Sequence, residues 1–483
     1  MTTHPSLTGP VSGDSTHASD PAPTLVKHPL RAVVVVAFAA LVTTLNQTLV
    51  IPMLPELPDR LGVTPSVATW LVTATVIAGA VSHPVLGRLG DQFGMRRMMI
   101  VALGAMILGS LMCVMTDNIG VLITGRALQG ISSATIPLGM SLMGMVLEPN
   151  RRASAIASIS AMMGIGGALG LPTAGLVSRL WGFHGLFVVS AVAGAVAVAA
   201  LLLAVPAPPK RERAQRIDLP GAVLLTCFIV ALLVGLDRGG EWGWTNTLTV
   251  VSFLVALVSG CLLTLVELRR HAPLIDLREA MSRSSVTING GSILIGFALF
   301  ANFLGIVGRL QAPVSTGYGH GLSVLMTGLC LLPGGLLSAV VSPLSARLSA
   351  IVTPRVTIAL GCAVSAAGFA AQISLGHRSL WVLVCLIAVV SAGNSMVLAN
   401  LPALILQVTP EENIGVANGL NSLARAIGMS VSSAVFGIVM TMPVGVAFVP
   451  RGSYDAFTAA GGAATLVALV MFLLQRSRRA TAV

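Results

Sequence analysis

Three arginines, Arg126, Arg309 and Arg425, stand inside long apolar stretches of this 483-residue chain. Placing a guanidinium in the middle of a membrane costs about 2.5–3.5 kcal/mol, so such a side chain usually faces a polar cavity or a polar partner. The simpler interpretation of Arg126 is that its side chain reaches back to the membrane surface, since it stands only a few residues into its stretch. Guanidinium groups in such places could bind a polar or anionic ligand.

A polar turn, GRLGDQFGMRR at 87–97, separates two apolar stretches. Its glycines allow the chain to turn tightly between two helices. Asp91 lies among Arg88, Arg96 and Arg97, so its carboxylate can form ion pairs, and the N-terminus of a nearby helix would also attract it. The residue types alone fit an ordinary solvated turn equally well.

Few groups in this chain could carry a proton. None of the 17 acidic residues falls in the middle of an apolar stretch, although a proton relay in a membrane usually needs an Asp, Glu or His there. The nearest candidates are Glu56 and Asp59 beyond the first stretch, Asp91 in the polar turn, and His83, whose imidazole titrates near physiological pH. For His83 we prefer the simpler interpretation, a histidine at the membrane interface that is hydrogen-bonded to the backbone.

The composition indicates a membrane protein. Hydrophobic residues make up 55% of the chain and charged residues 9%, with a mean hydropathy of +0.91, whereas a soluble chain is roughly a quarter charged. The long apolar runs are rich in Gly and Ala, which predicts transmembrane helices and not the alternating strands of a β-barrel. The net charge of +11 comes from short basic clusters between these runs, so we exclude nucleic acid as a partner. The six cysteines form no CxxC pair and predict neither disulfides nor a metal site.

Fourteen stretches are long enough to cross a bilayer as helices, which takes about 20 residues each. They lie near 31–52, 66–86, 98–116, 119–146, 153–177, 184–205, 219–236, 247–267, 285–308, 322–343, 356–375, 380–403, 415–440 and 456–475. With the N-terminus in the cytoplasm, 20 of the 28 Lys and Arg residues fall on the cytoplasmic side, five outside and three within spans. This bias follows the positive-inside rule, so we predict that both termini are cytoplasmic.

The spans group as six, two and six, which predicts an all-α integral membrane protein. We expect a disordered cytoplasmic tail at 1–30 and a six-helix N-terminal half at 31–205. A basic linker and an inserted two-helix hairpin occupy 206–283, a six-helix C-terminal half occupies 284–476, and a short cytoplasmic tail follows at 477–483.

The polar turn resembles the loop between the second and third spans of the major facilitator superfamily, whose pattern is GxLaDrxGrkxxl. The residues that match are Gly87, Leu89, Asp91, Gly94, Arg96 and Arg97. In that family the loop latches helix ends and gates the change of conformation, and the resemblance implies this role for Asp91, Arg88 and Arg96. Gln92 and Met95 depart from positions that are usually basic.

The fourth and fifth spans resemble the same family. Residues 122–134 meet its pattern LxxxRxxQGxxxA, and the resemblance assigns proton coupling to Arg126. The fifth span resembles the antiporter signature, a glycine-rich run that ends GPxxGG, which favours export over import. The residues concerned are Gly166, Gly170, Pro172 and Gly175. The match is imperfect, because Leu171 separates Gly170 from Pro172 and Ala174 replaces one glycine.

The hairpin and the thirteenth span resemble the fourteen-span drug:proton antiporters of the family. The stretches concerned are Asp218–Gly221, Gly240–Trp244 and Gly415–Val431. The first span departs from that group's LDxTIVNVALP, because Asn46 stands where the acid is expected, and an asparagine cannot carry a proton. The equivalent inner loop of the C-terminal half, 345–355, contains no acid, so we expect Asp91 to matter more than any residue there.

These features predict a transporter that exports small amphiphilic compounds, such as drugs or antibiotics, in exchange for protons by alternating access. The candidates for proton coupling are Arg126, His83, Glu56 and Asp59. Because no acid lies at mid-membrane, we expect a neutral, zwitterionic or anionic cargo. Side chains that could meet it are Asn46, Gln129, Arg309, Gln311, Asn394 and Asn400. The alternative for Arg309 is a position at the outer membrane surface.

Two other functions stay open. One is a facilitator of a neutral or anionic metabolite without proton coupling, which Asn46 favours. The other is a non-transporting membrane sensor or scaffold with the same fold, which any vectorial flux would exclude. No catalytic grouping supports an enzyme, and no metal or organic cofactor is implied. The expected partners are the small amphiphilic substrate, protons and the lipid bilayer. We expect a monomer in the inner membrane of a bacterium; a low lysine content hints at a GC-rich genome.

Overall fold

The structure is a computed structural model that describes residues 28–53, 57–206, 219–269, 281–377, 379–410, 413–441 and 450–474. These residues form α-helices and three short 3₁₀ turns, with no β-strand among them. The α-helices are α1 (Pro29–Thr48), α2 (Leu57–Leu61), α3 (Pro65–Phe93), α4 (Met95–Val114), α5 (Ile119–Ile131), α6 (Thr135–Val146), α7 (Pro149–Ala204), α8 (Leu219–Trp242), α9 (Thr247–Arg269), α10 (Arg283–Gln311), α11 (Val324–Ile351), α12 (Pro354–Leu375), α13 (Leu380–Val408), α14 (Ile414–Thr441) and α15 (Arg451–Leu474). Both predicted tails and most of the predicted linker lie outside the described residues.

Twelve of the described helices are long and apolar enough to span a membrane. One of the twelve, α7, has 56 residues, which is about 84 Å of helix against a bilayer core of about 30 Å. It is broken at Gly182, where φ is 69° and ψ is −170°, so it crosses twice. Helices α5 and α6, with the 3₁₀ turn at 132–134 between them, make one further crossing and confirm the predicted architecture.

Some helices extend further than the apolar pattern predicts. The second span is predicted to end near 86, whereas α3 continues to Phe93 and includes most of the polar turn. Gly94 ends it with a φ of 101°, a conformation that glycine adopts without strain. Polar caps start other helices: the side chain of Asn118 accepts hydrogen bonds from the N–H groups of Gly120 and Val121 at the start of α5.

Helices α1–α7 pack mainly on one another and are called here the N-terminal bundle; α10–α15 form the C-terminal bundle. The same close contact recurs in both. Helices α4 and α5 meet where a Cβ on Gly125 would come within 2.7 Å of the carbonyl oxygen of Gly109. Helices α12 and α13 meet where a Cβ on Gly393 would come within 2.6 Å of the carbonyl oxygen of Gly361. In each bundle, therefore, a pair of glycines lets two backbones approach closely.

The hairpin formed by α8 and α9 lies over the seam between the two bundles. Leu225, Ile229 and Leu233 of α8 pack in one apolar cluster with Ile77 of α3 and Leu423 of α14. Helix α9 packs on α8 and leaves many of its leucines and valines exposed. An apolar outer surface of this kind suits contact with lipid.

Candidate functional site

Asp91, near the end of α3, joins the two bundles. Its two carboxylate oxygens accept hydrogen bonds from the backbone N–H groups of Gly415 and Val416, each 3.1 Å long. These groups belong to the first turn of α14, where backbone donors lack partners within the helix and the helix dipole is positive. Arg88 nearby is partly exposed and Arg97 is exposed. We call the hydrogen-bonded contact between Asp91 and the first turn of α14 the latch. The side of the molecule that carries the latch is called the latch face.

Glycines allow the latch to close. A Cβ on Gly87 would lie 2.6 Å from the carbonyl oxygen of Gly415, and a Cβ on Gly415 would lie 2.7 Å from Oδ1 of Asp91. Gly90 leaves room for the Met95 side chain, whose sulfur would be 2.6 Å from a Cβ at that position. Larger residues at 87 or 415 would push α3 and α14 apart, because backbone atoms cannot move aside as a flexible side chain can.

Arg96 ties the start of α4 to the end of α7. It donates hydrogen bonds to the carbonyl oxygens of Leu201 (3.4 Å) and Leu202 (2.9 Å), where the negative end of the helix dipole favours a cation. In the C-terminal bundle, Arg355 at the start of α12 makes the corresponding bond, 2.9 Å long, to Phe472 of α15. Both bundles therefore use an arginine in the same way, whereas among the described residues the Asp91 latch has no such counterpart.

Further contacts between the bundles continue from the latch face towards the middle of the molecule. Asn418 of α14 donates to the hydroxyl oxygen of Ser141 in α6 (3.0 Å). Ser160 of α7 donates to the carbonyl oxygen of Leu398 in α13 (3.4 Å). With the latch, these bonds close the latch face in this conformation.

Arg126 is fully buried within the N-terminal bundle and does not reach a membrane surface. Its guanidinium donates to the backbone oxygens of Leu71 (3.0 Å) and Asn46 (3.3 Å) and to Oε1 of Gln129 (2.6 Å). Gln129 donates in turn to the hydroxyl of Ser110 (2.7 Å). The side chain thereby connects α5 with α1, α3 and α4.

Asn46 adjoins this network, with 1% of its surface exposed. Among the described residues, neither Oδ1 nor Nδ2 of Asn46 has a hydrogen-bond partner, and the same holds for one terminal nitrogen of Arg126. Buried polar atoms are normally paired, so these groups need a partner such as water or a ligand. An acid at position 46 would compensate the charge of Arg126, which asparagine leaves uncompensated.

The glycines of the fifth span pack α7 against α1. A Cβ on Gly166 would lie 2.7 Å from a backbone oxygen of α1, and a Cβ on Gly170 would overlap the side chain of Thr48. Pro172 and Gly175 lie further along α7 and face α11 of the other bundle. This glycine-rich segment therefore contacts both bundles.

Two of the amides predicted to meet cargo are bonded to neighbouring helices of the C-terminal bundle. Asn394 accepts a hydrogen bond from the hydroxyl of Ser365 (3.0 Å), and Asn400 donates one to Ser345 (3.1 Å). Gln311, the last residue of α10, is exposed. In this conformation a ligand would have to displace the partners of Asn394 and Asn400 to bind them.

Arg309 is paired with an acid from α15. One of its terminal nitrogens is 2.6 Å from Oδ1 of Asp455, which also lies 3.2 Å from Arg451. Arg309 is only 4% exposed, so the pairing compensates a charge that water does not reach. Partial burial, together with the positive charge of Arg309, lowers the pKa of His320 in the following loop, which favours its neutral form.

His83 and Arg425 lie at similar depths on opposite sides of the seam. Helix α3 continues ten residues beyond His83 and α14 begins eleven residues before Arg425, so both lie about 15–17 Å from the latch end of their helices. Helices α3 and α14 are in close contact at this depth, because a Cβ on Gly419 would lie 2.5 Å from the carbonyl oxygen of His83. Nδ1 of His83 is buried with no hydrogen-bond partner among the described residues. The histidine therefore lies ten residues from the latch end of α3.

Of the remaining acidic candidates, the structure describes only Asp59. Asp59 lies on the short helix α2 and is exposed, and Glu56 is outside the described residues. In the part of the chain that the structure describes, no three His, Cys, Asp or Glu side chains are placed to hold a metal ion.

Arg238 falls between the predicted spans 219–236 and 247–267, and therefore in a predicted outside loop, but α8 extends to Trp242 and buries it at 1% exposure. Its guanidinium lies 4.4 Å from the ring centroid of Trp70 in α3, donates to Thr69 (2.8 Å) and pairs with Glu241 (2.7 Å). The arginine therefore fastens the hairpin to α3. The signal available in the sequence was the three-residue spacing of Arg238 and Glu241, which is typical of a helix.

Two helical bundles that meet at a hydrogen-bonded latch, with polar side chains between them and an apolar exterior, define a multi-pass membrane transporter. Residues 36–433 match the sequence profile of the Major Facilitator Superfamily, and the chain belongs to this family. It is a transporter and not an enzyme. The fold is similar to that of the human organic anion transporter MFSD10 (TETRAN), with a TM-score of 0.66, 16% identity and coverage of 92% of this chain and 99% of that one.

Curated relatives include proteins named for drug resistance. The chain is 28% identical over 389 residues to the multidrug resistance protein Stp of Mycobacterium tuberculosis. That match covers 80% of this chain and 71% of the relative. It is also 28% identical over 439 residues to the tetracenomycin C resistance and export protein of Streptomyces glaucescens. That match covers 89% of this chain and 79% of the relative. The predicted membership of the Major Facilitator Superfamily is thereby confirmed.

Proposed function

We propose that this chain exports small amphiphilic compounds in exchange for protons by alternating access. The observation that carries the proposal is the latch, in which two hydrogen bonds between the bundles hold one face shut while unpaired polar atoms lie deeper in the molecule. Opening such a contact would expose the space between the bundles to the latch face, as alternating access requires. The relatives named for resistance and export support a drug-like cargo and an outward direction.

The latch face is the cytoplasmic one in this proposal, in a bacterial inner membrane, with both termini on that side and a monomer as the functional unit. The excess of basic residues there supports this orientation. Single cysteines introduced at Arg97 and Asp59, both exposed, would test it. In intact cells an impermeant maleimide should label the cysteine at 59 and not the one at 97; the reverse pattern would overturn the orientation.

Cargo contact is proposed for six polar side chains: Asn46, Gln129, Arg309, Gln311, Asn394 and Asn400. Asn46 is the foremost of them, because its amide is buried and unpaired. The bonds made by Gln129, Arg309, Asn394 and Asn400 to other parts of the chain would have to be exchanged for bonds to cargo.

His83 is the group that we propose as proton carrier, ahead of Arg126, Glu56 and Asp59. A guanidinium stays protonated, so Arg126 can position a proton carrier but cannot release a proton itself. His83 has a buried, unpaired ring nitrogen deep in α3. His83→Gln should abolish flux driven by a proton gradient and leave downhill flux, with His377→Gln, at an exposed site, as the matched control. Unchanged proton-driven flux in the His83 variant would remove it from the mechanism.

Flux in proteoliposomes with an imposed proton gradient tests the whole proposal, using cationic, neutral and anionic amphiphiles. Flux that depends on the gradient and moves protons the other way is the expected result. Flux that ignores the gradient would favour the uncoupled facilitator, a function that Asn46 in place of an acid supports. An absence of vectorial flux would favour the sensor or scaffold.

A further inference from the structure

The buried arginines differ in how their charges are compensated. Arg309 is paired with Asp455 at 2.6 Å and Arg238 with Glu241 at 2.7 Å. In both cases a carboxylate of the same chain supplies the opposite charge, so these two arginines attract an outside anion weakly.

Arg425 has only neutral hydrogen-bond partners among the described residues. Its guanidinium donates to Oδ1 of Asn421 (2.5 Å) and to Oγ of Ser422 (2.9 Å), both on its own helix. Asn421 is held in turn by a hydrogen bond of 2.6 Å to Ser292 of α10. A guanidinium has five N–H donors, so three remain for another partner.

The position of Arg425 suits contact with a transported molecule. It lies about 17 Å along α14, near the middle of a helix of 28 residues, and is nevertheless partly exposed. Across the seam lies His83 of the N-terminal bundle, with its buried and unpaired Nδ1. The side chain therefore faces the space between the bundles, which is where this type of transporter places its cargo.

Arg126 lacks this access, although it too has no carboxylate partner among the described residues. It is fully buried within one bundle and donates to oxygens of three helices there. These hydrogen bonds hold that bundle together. Among the described arginines compared above, Arg425 is therefore the one that combines neutral partners with access from the space between the bundles.

We propose that Arg425 binds an acidic group of the cargo, a carboxylate or an acidic phenol, halfway through the protein. The inference rests on the proposed export function and adds to it the class of cargo, an anionic amphiphile. The planar guanidinium can hold both oxygens of a carboxylate at once, and Asn421 and Ser422 fix its orientation. The acid group of the cargo takes the place that a carboxylate of the chain takes beside Arg309.

Two dyes with the same xanthene ring system distinguish this idea from simple hydrophobic binding. Fluorescein is an anion at pH 7.5 and rhodamine 123 is a cation. Binding of each to the purified full-length protein would be measured by fluorescence polarisation, for the wild type, Arg425→Gln, Arg425→Lys and Arg347→Gln. Arg347 is exposed on α11 and serves as the matched control for loss of a positive charge.

We expect Arg425→Gln to weaken fluorescein binding by about 10- to 100-fold, the effect of losing a charge-assisted bidentate contact, while rhodamine 123 binding stays within about threefold. Arg425→Lys should fall between the wild type and Arg425→Gln, which also shows that a variant at this site folds. Arg347→Gln should bind both dyes as the wild type does.

Unchanged fluorescein binding by Arg425→Gln, or an equal loss of both dyes in Arg425→Gln and Arg425→Lys, would overturn the inference. Wild-type protein that binds and moves rhodamine 123 but not fluorescein would also overturn it, while leaving the export function intact. If the wild type moves neither dye nor any other amphiphile, the export function fails and the inference fails with it.

Discussion

Replacing Asp91 by asparagine tests the latch most directly. Asparagine keeps one oxygen acceptor but loses the charge and the second acceptor. A hydrogen bond to a charged group contributes about 1.5–3 kcal/mol, and a negative charge at a helix N-terminus contributes about 0.3–1 kcal/mol. Because Asp91 makes two such bonds at the start of α14, losing one bond and the charge should shift the equilibrium towards the open latch by about 2–3 kcal/mol. That is a change of about 30- to 150-fold in the ratio of closed to open molecules.

Electron paramagnetic resonance would measure this shift as a change in the distance between two spin labels. One label replaces Arg97 and the other replaces Arg347, because both are exposed and belong to different bundles. Glu148→Gln is the control, since Glu148 is an exposed carboxylate whose ion pair with Arg151 is 3.7 Å long and largely in water. Asp91→Asn should move population to longer distances and Glu148→Gln should not. Equal distance distributions in the two variants would refute the role of the latch.

Three further substitutions probe other contacts. Gly170→Val should lower the Tm in detergent by a destabilisation of about 1–3 kcal/mol, because any Cβ there overlaps Thr48; an unchanged Tm would contradict the packing of α7 on α1. Asp455→Asn should cost about 3 kcal/mol, since it leaves Arg309 buried without a counter-charge, and thermal unfolding that matches the wild type would refute this. Asn46→Asp restores a titratable group beside the buried arginine network. We expect it to increase proton-coupled flux, and flux that is no more sensitive to the gradient than before would argue against a coupling role for this position.

The features that could be predicted from the sequence are those with a local pattern. Hydropathy over about 20 residues predicts a membrane crossing, because a helix must bury its own backbone polar groups in lipid. The glycines and charges at 87–97 likewise indicate a break between two helices, which the structure confines to Gly94. The family and fold class rest on these patterns, and both are confirmed.

The pairings between distant helices could not be predicted in this way. Asp91 and Gly415 are 324 residues apart, and Arg309 and Asp455 are 146 residues apart. Each of these residues is ordinary in its own surroundings, and only the packing of the helices decides which ones meet. A single sequence contains no signal that α10 adjoins α15 or that α3 adjoins α14.

The depth of charged residues was also hard to predict. The apolar pattern ends where charges begin, whereas a helix continues as long as its backbone bonds and caps allow. For this reason His83 lies deep inside α3, and Arg238 lies buried in α8 instead of in a loop. The error over Arg238 comes from equating the end of hydrophobicity with the end of the helix.

The anchoring of the hairpin has a consequence for how the bundles move. On α3 the hairpin is held by directional bonds, the stacking of Arg238 on Trp70 and its hydrogen bond to Thr69. On α14 it is held by apolar packing, in a cluster that includes Leu225 and Leu423, and such packing has no preferred direction and can be exchanged for other contacts. We expect the hairpin to move with the N-terminal bundle and to shift relative to α14 while staying in contact with it. It would then keep lipid tails out of the seam throughout the change of conformation. A disulfide that joins α8 to α14 should then stall transport, whereas one that joins α8 to α3 should leave it running.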